Sequence, residues 1–385
     1  MIYLDNAANT YVNCFAASAA IAEMRNVGNP SSLHSAGIDA KRRLDNAEED
    51  ILSYIGCKTG RVYFTSGGTE ANNIAIRMLA EYGESINKNH FITTAFEHSS
   101  VMRVFKSLEE EGFEVTYLKP DSDGIICPND VEASIKENTI AVSMMYVNNE
   151  IGTIQPVNEV GRICKKHKIP FHCDAVQAVG HIPVDMDKNN ISLLSASAHK
   201  FGGITGTGFL AQSCNFKKFK FKPIMFGGSQ NMGVRPGTEN MVGIMAMRAA
   251  LEIVTDKEKM NTKIEETTRL RNYFTKLLNE IPDIRYNGSF EEGKRIHNNV
   301  NISFKDINSE NLVYLLSKEG VCVSTTSACE SKAKGRNYVL KSIGLDDEYI
   351  NGTIRITLSD YTTEADVRNA FGIIKQCVNT LRAFK

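Results

Sequence analysis

The sequence predicts an α/β protein in which a mainly parallel sheet is sandwiched between helices, with a smaller α+β domain beside it. Short strand-like runs alternate with helical segments from about residue 62 to residue 210, and this alternation implies parallel βαβ units. Several runs, such as residues 140–147, are almost continuously apolar, which is typical of strands covered by helices on both faces. The length of 385 residues also exceeds that of one typical domain.

The predicted elements of the large domain are short strands separated by helices. Ligands of such sheets bind beyond the carboxyl ends of the strands, so polar residues that directly follow a strand are the first candidates for a functional site. In chain order the predicted strands are residues 62–65, 90–95, 114–118, 139–147, 170–174 and 192–197.

The pattern changes after about residue 241, where a long charged helical stretch runs through residue 280. We expect residues 14–252 to form the large domain, and residues 1–13 and 253–385 to form the small one. In the small domain we expect strands at 299–304, 321–324 and 352–358, and helices at 309–319 and from 363 onward.

Composition argues against several classes of function. The formal net charge is -1, no basic run suggests a nucleic-acid partner, and no apolar stretch approaches the roughly 20 residues needed to cross a bilayer. Residues 1–8 lack the basic segment and apolar core of a secretory signal, and nine irregularly spaced cysteines suggest reduced thiols. We therefore expect a cytoplasmic protein that binds neither nucleic acid nor membrane.

Lys200 and Asp174 each follow a short apolar strand. A desolvated lysine amine forms Schiff bases with carbonyl compounds such as pyridoxal phosphate, and a nearby aspartate keeps the pyridine nitrogen of that cofactor protonated. Singly, a solvated lysine and a helix-capping aspartate are the stronger interpretations. Together with the glycine turn described next, the two residues favour a cofactor site.

Residues 64–73 (Phe-Thr-Ser-Gly-Gly-Thr-Glu-Ala-Asn-Asn) combine a strand, a glycine turn and the start of a helix. Backbone N–H groups at a helix N-terminus form a cradle for phosphate. An ordinary βα turn with Thr69 as the helix cap is about as well supported by this segment alone. We interpret the other glycine-rich segment, residues 202–208, as a structural turn next to Lys200.

His98 also follows a predicted strand. An imidazole at this position can stack on a cofactor ring and shuttle protons near neutral pH. The alternative is a histidine that only ends a helix. The position of His98 among the other residues at the strand ends favours the catalytic role.

Cys329 lies in a small, polar and partly basic segment. The nearby Lys332, Lys334 and Arg336 favour the thiolate, which is the nucleophilic form of cysteine. The other cysteines mostly fall in helical or strand patterns, where buried thiols are inert.

Arg355 interrupts an apolar strand of the small domain. A guanidinium binds a carboxylate through two parallel hydrogen bonds, so Arg355 is a candidate for the carboxylate of a substrate. A surface-facing strand arginine is the equally weighted alternative.

No metal site is expected. The group Cys164, His167, His172 and Cys173 runs from a helix end into a strand, where neighbouring side chains point to opposite faces.

These motifs occur with others, in a fixed order, along nearly the whole chain. They lie at residues 3–8, 28–32, 65–70, 97–98, 147–152, 174–177, 199–200, 235–238 and 327–329. With them the chain resembles the pyridoxal-phosphate-dependent enzymes of the class V aminotransferase superfamily, and specifically the cysteine desulfurases of the NifS/IscS group. The chain departs from the family pattern at residues 230–232 and 332–337.

The resemblance implies a pyridoxal-phosphate-dependent transferase fold (fold type I) and a role for each matching residue. Lys200 would form the internal aldimine, Asp174 would pair with the pyridine nitrogen, Gln177 would hydrogen-bond the ring oxygen and His98 would stack on the ring.

The resemblance also implies a homodimer with shared active sites. Gly68, Thr69, Ser197 and His199 would hold the cofactor phosphate, and Thr238 would reach over from the other subunit.

The implied reaction converts L-cysteine into L-alanine and a persulfide on Cys329, with Asn149 and Arg355 orienting the substrate carboxylate. The sulfur then passes to an acceptor protein for iron-sulfur cluster assembly or for a thiolated tRNA or cofactor. Two alternatives stay open: a selenocysteine lyase or aminotransferase on the same scaffold, and a non-catalytic regulatory paralogue.

Overall fold

The structure is a computed structural model that describes residues 1–216, 221–325 and 337–383. The strands in chain order are β1 (Ile2–Tyr3), β2 (Gly60–Thr65), β3 (His90–Thr94), β4 (Glu114–Leu118), β5 (Thr139–Met145), β6 (Phe171–Asp174), β7 (Leu193–Ser197), β8 (Gly208–Ser213), β9 (Ile284–Tyr286), β10 (Asn299–Phe304), β11 (Val321–Cys322), β12 (Ser324–Thr325) and β13 (Thr353–Thr357). The α-helices are α1 (Cys14–Met24), α2 (Ser35–Tyr54), α3 (Gly68–Ser85), α4 (Ser99–Glu110), α5 (Pro128–Ala133), α6 (Val157–His167), α7 (Met241–Val254), α8 (Lys257–Leu278), α9 (Ser309–Lys318), α10 (Tyr338–Ser342), α11 (Asp347–Ile350) and α12 (Glu364–Ala383).

The largest sheet has seven strands in the order β2-β8-β7-β6-β5-β3-β4. The five strands from β7 to β4 run parallel, whereas β8 is antiparallel to both β2 and β7. The predicted α/β class with a mainly parallel sheet is therefore confirmed. The glycine-rich segment 202–208 does turn, but it leads into β8, a strand that the sequence analysis missed.

Helices cover both faces of this sheet. On one face α3 and α4 contribute Ile76, Leu79 and Phe105 to a core that also contains Phe91 of β3. On the other face α2, α6 and α7 pack against residues of β5, β6 and β7 in a second core. Burial on both faces explains why the strands lack polar alternation.

The second sheet has four antiparallel strands in the order β12-β13-β10-β9. Its core joins Leu4 of the N-terminal segment to Phe274 of α8, Phe304 of β10 and Ile374 of α12. The N-terminal β1 pairs in parallel with β11, so the start of the chain packs beside its last third. The predicted strand 321–324 is split into β11 and β12, and the domain bounds given above stay a prediction.

Within the described part of the chain, every helix is too short or too polar to span a bilayer.

Two helical glycines form a matched pair for testing how tightly α6 packs. A Cβ atom added at Gly161 in α6 would lie 1.8 Å from the carbonyl oxygen of Asn189, whereas one added at Gly372 in α12 would have nothing within 4 Å. Alanine favours a helix over glycine by up to about 1 kcal/mol, and overpacking costs roughly 1–3 kcal/mol.

We expect Gly161→Ala to lower the free energy of unfolding by about 2 kcal/mol, because the backbone of residue 189 has to move. Gly372→Ala should raise the same quantity by up to about 1 kcal/mol. Urea unfolding followed by circular dichroism measures both. Equal effects of the two substitutions would contradict the packing of α6 described here.

Candidate active site

A cavity of about 350 Å³ opens where β5, β6 and β7 end. It also reaches the start of α3 and the strands β12 and β13 of the second sheet. Ten of the residues predicted for a site line this cavity: Gly68, Thr69, His98, Asn149, Asp174, Gln177, Ser197, His199, Lys200 and Arg355.

Two predicted site residues are not in that group. Thr238 is exposed and does not line the cavity of its own chain. Cys329, together with the departing segment 332–336, lies outside the described residues.

Asp174 is the last residue of β6 and is 6% exposed. Its Oδ1 accepts a hydrogen bond from the backbone N–H of Val176 at 3.1 Å, and its Oδ2 accepts one from Nδ2 of Asn72 at 2.7 Å. Burial raises the pKa of this carboxyl, while the hydrogen bonds from Val176 and Asn72 act in the opposite direction. The cavity thus contains a buried carboxyl whose two oxygens both receive N–H donors.

Lys200 ends a short 3₁₀ turn that follows β7. Its Nζ donates hydrogen bonds to the carbonyl oxygens of Ala7 at 2.6 Å and Ala8 at 2.9 Å. Nε2 of Gln177 donates to the same Ala7 oxygen at 3.1 Å. The N-terminal segment therefore forms one wall of the cavity, a contribution that the sequence analysis did not assign.

The turn before α3 brings backbone close to this cavity. Gly67 is the N-cap of α3 with a φ of 152° and makes no side-chain cap hydrogen bond, so the interpretation of Thr69 as the cap is wrong. A Cβ atom at Gly68 would lie 2.5 Å from Cγ2 of Val176, which explains why glycine is needed there. The N-terminus of α3 thus presents backbone N–H groups next to Thr69.

Ser197 lies beside this helix N-terminus, since a Cβ atom added at Gly67 would be 3.2 Å from Oγ of Ser197, and His199 lies next to Ser197. Oγ of Ser197 is 2.9 Å from Nδ1 of His199, and burial followed by the charge of Lys200 lowers the pKa of His199 to about 4. His199 is therefore a neutral hydrogen-bonding group at physiological pH.

His98 is the N-cap of α4, as the helix-terminal alternative expects, and it also lines the cavity. Its catalytic role stays a prediction. Its Nδ1 accepts a hydrogen bond from the backbone N–H of Ser100 at 3.2 Å and lies 2.7 Å from Oγ of Ser100. Asn72, which donates to Asp174, also donates to Oγ of Ser100 at 2.9 Å. Asn72 and Ser100 were missed in the sequence analysis, although Asn72 stands inside the segment 64–73 and Ser100 lies two residues after His98.

Arg355 in β13 is 7% exposed, so the surface-facing alternative is wrong. Its Nη2 donates to Oδ1 of Asp5 at 2.8 Å, and its Nη1 donates to the carbonyl oxygen of Asn149 at 2.8 Å. Among the described residues its buried Nε has no hydrogen-bond partner. The guanidinium is thus held in place by two groups while lining the cavity.

Glu97 lies directly behind the site and is fully buried. Its Oε1 accepts hydrogen bonds from Oγ1 of Thr94 at 2.7 Å and from the backbone N–H of Met145 at 2.9 Å. Burial, with a smaller effect from the charge of Asp174, raises its pKa to about 8. The backbone carbonyl of Glu97 accepts a hydrogen bond from the hydroxyl of Tyr338, which follows the segment outside the described residues.

This combination of amine, buried carboxyl, imidazole and anion cradle at the strand ends defines a cofactor-dependent enzyme site. The chain belongs to the aminotransferase class-V family, whose model matches residues 2–370. Enzymes of this family are pyridoxal-phosphate-dependent.

The chain is similar to curated and solved proteins over nearly its whole length. A protein named Cysteine desulfurase IscS from Dictyoglomus turgidum is 40% identical over 383 residues, which cover 99% of this chain and 95% of that protein. A solved structure described as a NifS-like protein has a TM-score of 0.90 at 34% identity, covering 99% of this chain and 100% of its own. A structure of SspA in complex with cysteine has a TM-score of 0.80 at 30% identity, and the match covers 94% of this chain and 100% of that chain.

The raised pKa of Glu97 predicts that the free energy of unfolding depends on pH. An unfolded glutamate ionises near its usual pKa of about 4.5, but the folded protein retains the proton of Glu97 up to about pH 8. Between these pH values the unfolded state binds fewer protons than the folded state, so the contribution of Glu97 to stability is lost as the pH rises.

We expect Glu97→Gln to remove this dependence, because a neutral amide has the shape of the protonated carboxyl. The melting temperature of the variant minus that of the wild type should become more positive from pH 5 to pH 8, with a free-energy difference on the order of a few kcal/mol. Differential scanning calorimetry of the apoprotein measures this difference. A constant difference across this pH range would refute the raised pKa.

Proposed function

We propose that the protein is an L-cysteine desulfurase that uses pyridoxal phosphate to remove sulfur from L-cysteine and release L-alanine. The observation that carries the proposal is the cavity in which Lys200, Asp174 and His98 meet Arg355. Similarity to cysteine desulfurases over nearly the whole chain supports the same activity. The cysteine complex of the SspA structure supports cysteine as the substrate.

The residues in the cavity fit the cofactor. Lys200 supplies the amine that would tether it, and Asp174 supplies a carboxyl that would pair with the ring nitrogen. Gln177 would hydrogen-bond the ring oxygen, and His98 would stack on the ring. When bound, pyridoxal phosphate supplies an electron sink for the negative charge that develops at Cα of the substrate.

The phosphate would lie at the N-terminus of α3. Gly68 allows close approach of the backbone, and Thr69 and Ser197 contribute hydroxyl groups. His199 would contribute a neutral hydrogen bond, since its pKa is lowered to about 4. Thr238 of a second subunit would complete this set.

Arg355 and Asn149 would orient the substrate carboxylate. The guanidinium is already fixed by Asp5 and by the carbonyl of Asn149, so little conformational entropy is lost when it binds an anion. Its buried Nε adds a donor that has no partner among the described residues.

Cys329 would accept the sulfur. Its thiolate attacks the sulfur atom of the bound cysteine, the Cβ–S bond breaks, and the electron pair of that bond stays on the three-carbon skeleton. Cβ of this skeleton takes up a proton, so the products are L-alanine and a persulfide on Cys329. An acceptor protein that serves iron-sulfur cluster assembly or tRNA or cofactor thiolation would then take the sulfur.

The cysteines of the described residues are all free thiols. Together with the chemistry of a persulfide, which needs a reduced nucleophile, this supports a cytoplasmic location as part of the same proposal.

Brief exposure of the holoprotein to L-cysteine should place one additional sulfur on Cys329, which mass spectrometry of peptides detects. Cys329→Ala should abolish both the persulfide and sulfide release while leaving the cofactor absorption unchanged, because this side chain is not expected to bind the cofactor. Cys127→Ala is the matched control, since Cys127 is exposed and lies outside the cavity lining.

Other outcomes of this experiment identify the competing functions. Amino transfer from L-cysteine to a keto acid that survives Cys329→Ala would replace the proposal by an aminotransferase. Strong preference for selenocysteine would replace it by a selenocysteine lyase. A protein that takes up no cofactor, and whose Lys200 is not labelled by borohydride, would be a non-catalytic paralogue.

We also propose a homodimer with shared active sites. Exposed apolar side chains concentrate in two segments, residues 11–38 and 224–232, the second of which ends six positions before Thr238. Clustered apolar exposure of this kind marks protein interfaces. The largest exposures in the two segments are those of Leu33 at 94% and Phe226 at 74%.

We expect sedimentation velocity to give twice the 42.6 kDa mass of one chain. Met24→Glu should weaken association at least tenfold, because it places a charge on a 67% exposed apolar side chain of the first segment. Tyr314→Glu, at a 60% exposed position in α9, is the control and should leave the dimer intact. A monomeric wild type with full activity would contradict shared sites.

A further inference from the structure

A buried network joins the carboxyl of Asp174 to the ring of His98. Asn72, 1% exposed in α3, lies between them and donates its two amide hydrogens, one to Oδ2 of Asp174 and one to Oγ of Ser100. The orientation of the amide follows from Asp174, because a carboxylate oxygen can only accept a hydrogen bond. The direction of the bond from Asn72 to Ser100 is thereby fixed as well.

Ser100 connects Asn72 to His98 by hydrogen bonds. Its hydroxyl oxygen already accepts from Asn72, so the hydroxyl hydrogen is available for Nδ1 of His98 at 2.7 Å. Its backbone N–H, which can only donate, also points at Nδ1, at 3.2 Å. The backbone contact requires a lone pair on Nδ1, and the hydroxyl contact is made by the same lone pair when the Ser100 hydroxyl donates.

The position of His98 at the start of α4 also favours a lone pair on Nδ1. The N-terminus of a helix carries a partial positive charge from its free N–H groups, and this charge disfavours a proton on the ring nitrogen that faces them. A neutral imidazole with a lone pair on Nδ1 carries its hydrogen on Nε2.

We propose that Asn72 and Ser100 are positioning residues that hold His98 as the neutral Nε2–H tautomer. This inference deepens the proposed function and rests on it for its catalytic consequence. A ring nitrogen that already carries a hydrogen cannot accept another proton at that atom. His98 therefore serves as a stacking group and a hydrogen-bond donor, which differs from the proton shuttle expected from the sequence.

Proton transfer then falls to Lys200, whose side chain lines the same cavity. As a neutral amine, Nζ takes the proton from Cα of the substrate and becomes an ammonium group, and it gives that proton back to the product. The carbonyl oxygens of Ala7 and Ala8 accept hydrogen bonds from Nζ and hold it in the cavity.

The tautomer can be measured directly in the full-length protein with ¹⁵N-labelled histidine, both without and with pyridoxal phosphate. Long-range ¹H–¹⁵N correlation spectra at neutral pH, assigned with His98→Gln, should show an unprotonated Nδ1 and a protonated Nε2 for His98. A proton on Nδ1, alone or together with one on Nε2, would overturn the proposal.

Variants separate the network from general packing. Ser100→Ala removes the hydroxyl and Asn72→Ala removes its donor, so both should move the Nδ1 and Nε2 signals of His98 toward each other as the tautomers mix. Ser100→Thr keeps a hydroxyl and should keep the wild-type spectrum. Ser107→Ala, on the same helix but bonded to Arg77 and Glu111, is the matched control.

The kinetic constants should distinguish the Ser100→Ala and Ser100→Thr variants in the same way as the spectra. Ser100→Ala should lower kcat for L-cysteine on the order of tenfold with KM within about twofold, because ring position matters more in the transition state than in binding. Ser100→Thr should restore kcat; a Thr variant that behaves like the Ala variant would show that the hydroxyl is not the cause. An inactive wild-type protein with the expected tautomer would instead refute the proposed function and leave the network standing.

Discussion

Burying a carboxyl at the end of a central strand is costly unless each of its oxygens receives a donor, and much of this site is arranged around that requirement at Asp174. Val176 satisfies one oxygen from the following turn, and Asn72 satisfies the other from the neighbouring helix. Asn72 can reach the carboxyl only because α3 packs closely on the sheet, and that packing depends on Gly68 beside Val176. The start of α3 also provides the proposed phosphate cradle. The close packing of α3 on the sheet therefore serves both the Asp174 carboxyl and the phosphate site.

The second sheet contributes the substrate end of the cavity. Arg355 lies on a strand whose neighbours bury it, and its charge is balanced by Asp5. A buried arginine without such a partner would be strongly destabilising, so the Asp5 contact is as much a condition for folding as for binding. The cavity thus combines a cofactor end built on parallel strands with a carboxylate-binding end built on antiparallel ones.

The parts of this arrangement that the sequence predicted are those with a local cause. Strands such as β5 were found because burial on both faces makes them apolar, and Asp174, Lys200 and His98 were found because each directly follows a strand. β8 was missed because its glycine-rich approach is a turn signal, and because one of the two strands that pair with it, β2, lies far earlier in the chain. Asn72 and Ser100 were missed because a polar residue in a helix looks solvated until the element that covers it is known.

The contact of residue 6 with β13 has a consequence for how the lysine pocket forms. Asn6 donates a hydrogen bond to the carbonyl oxygen of Thr357, a partner 351 positions later, and the adjoining Ala7 holds the Lys200 amine. The wall of the cavity that holds the Lys200 amine therefore depends on a contact between two segments that lie far apart in the sequence.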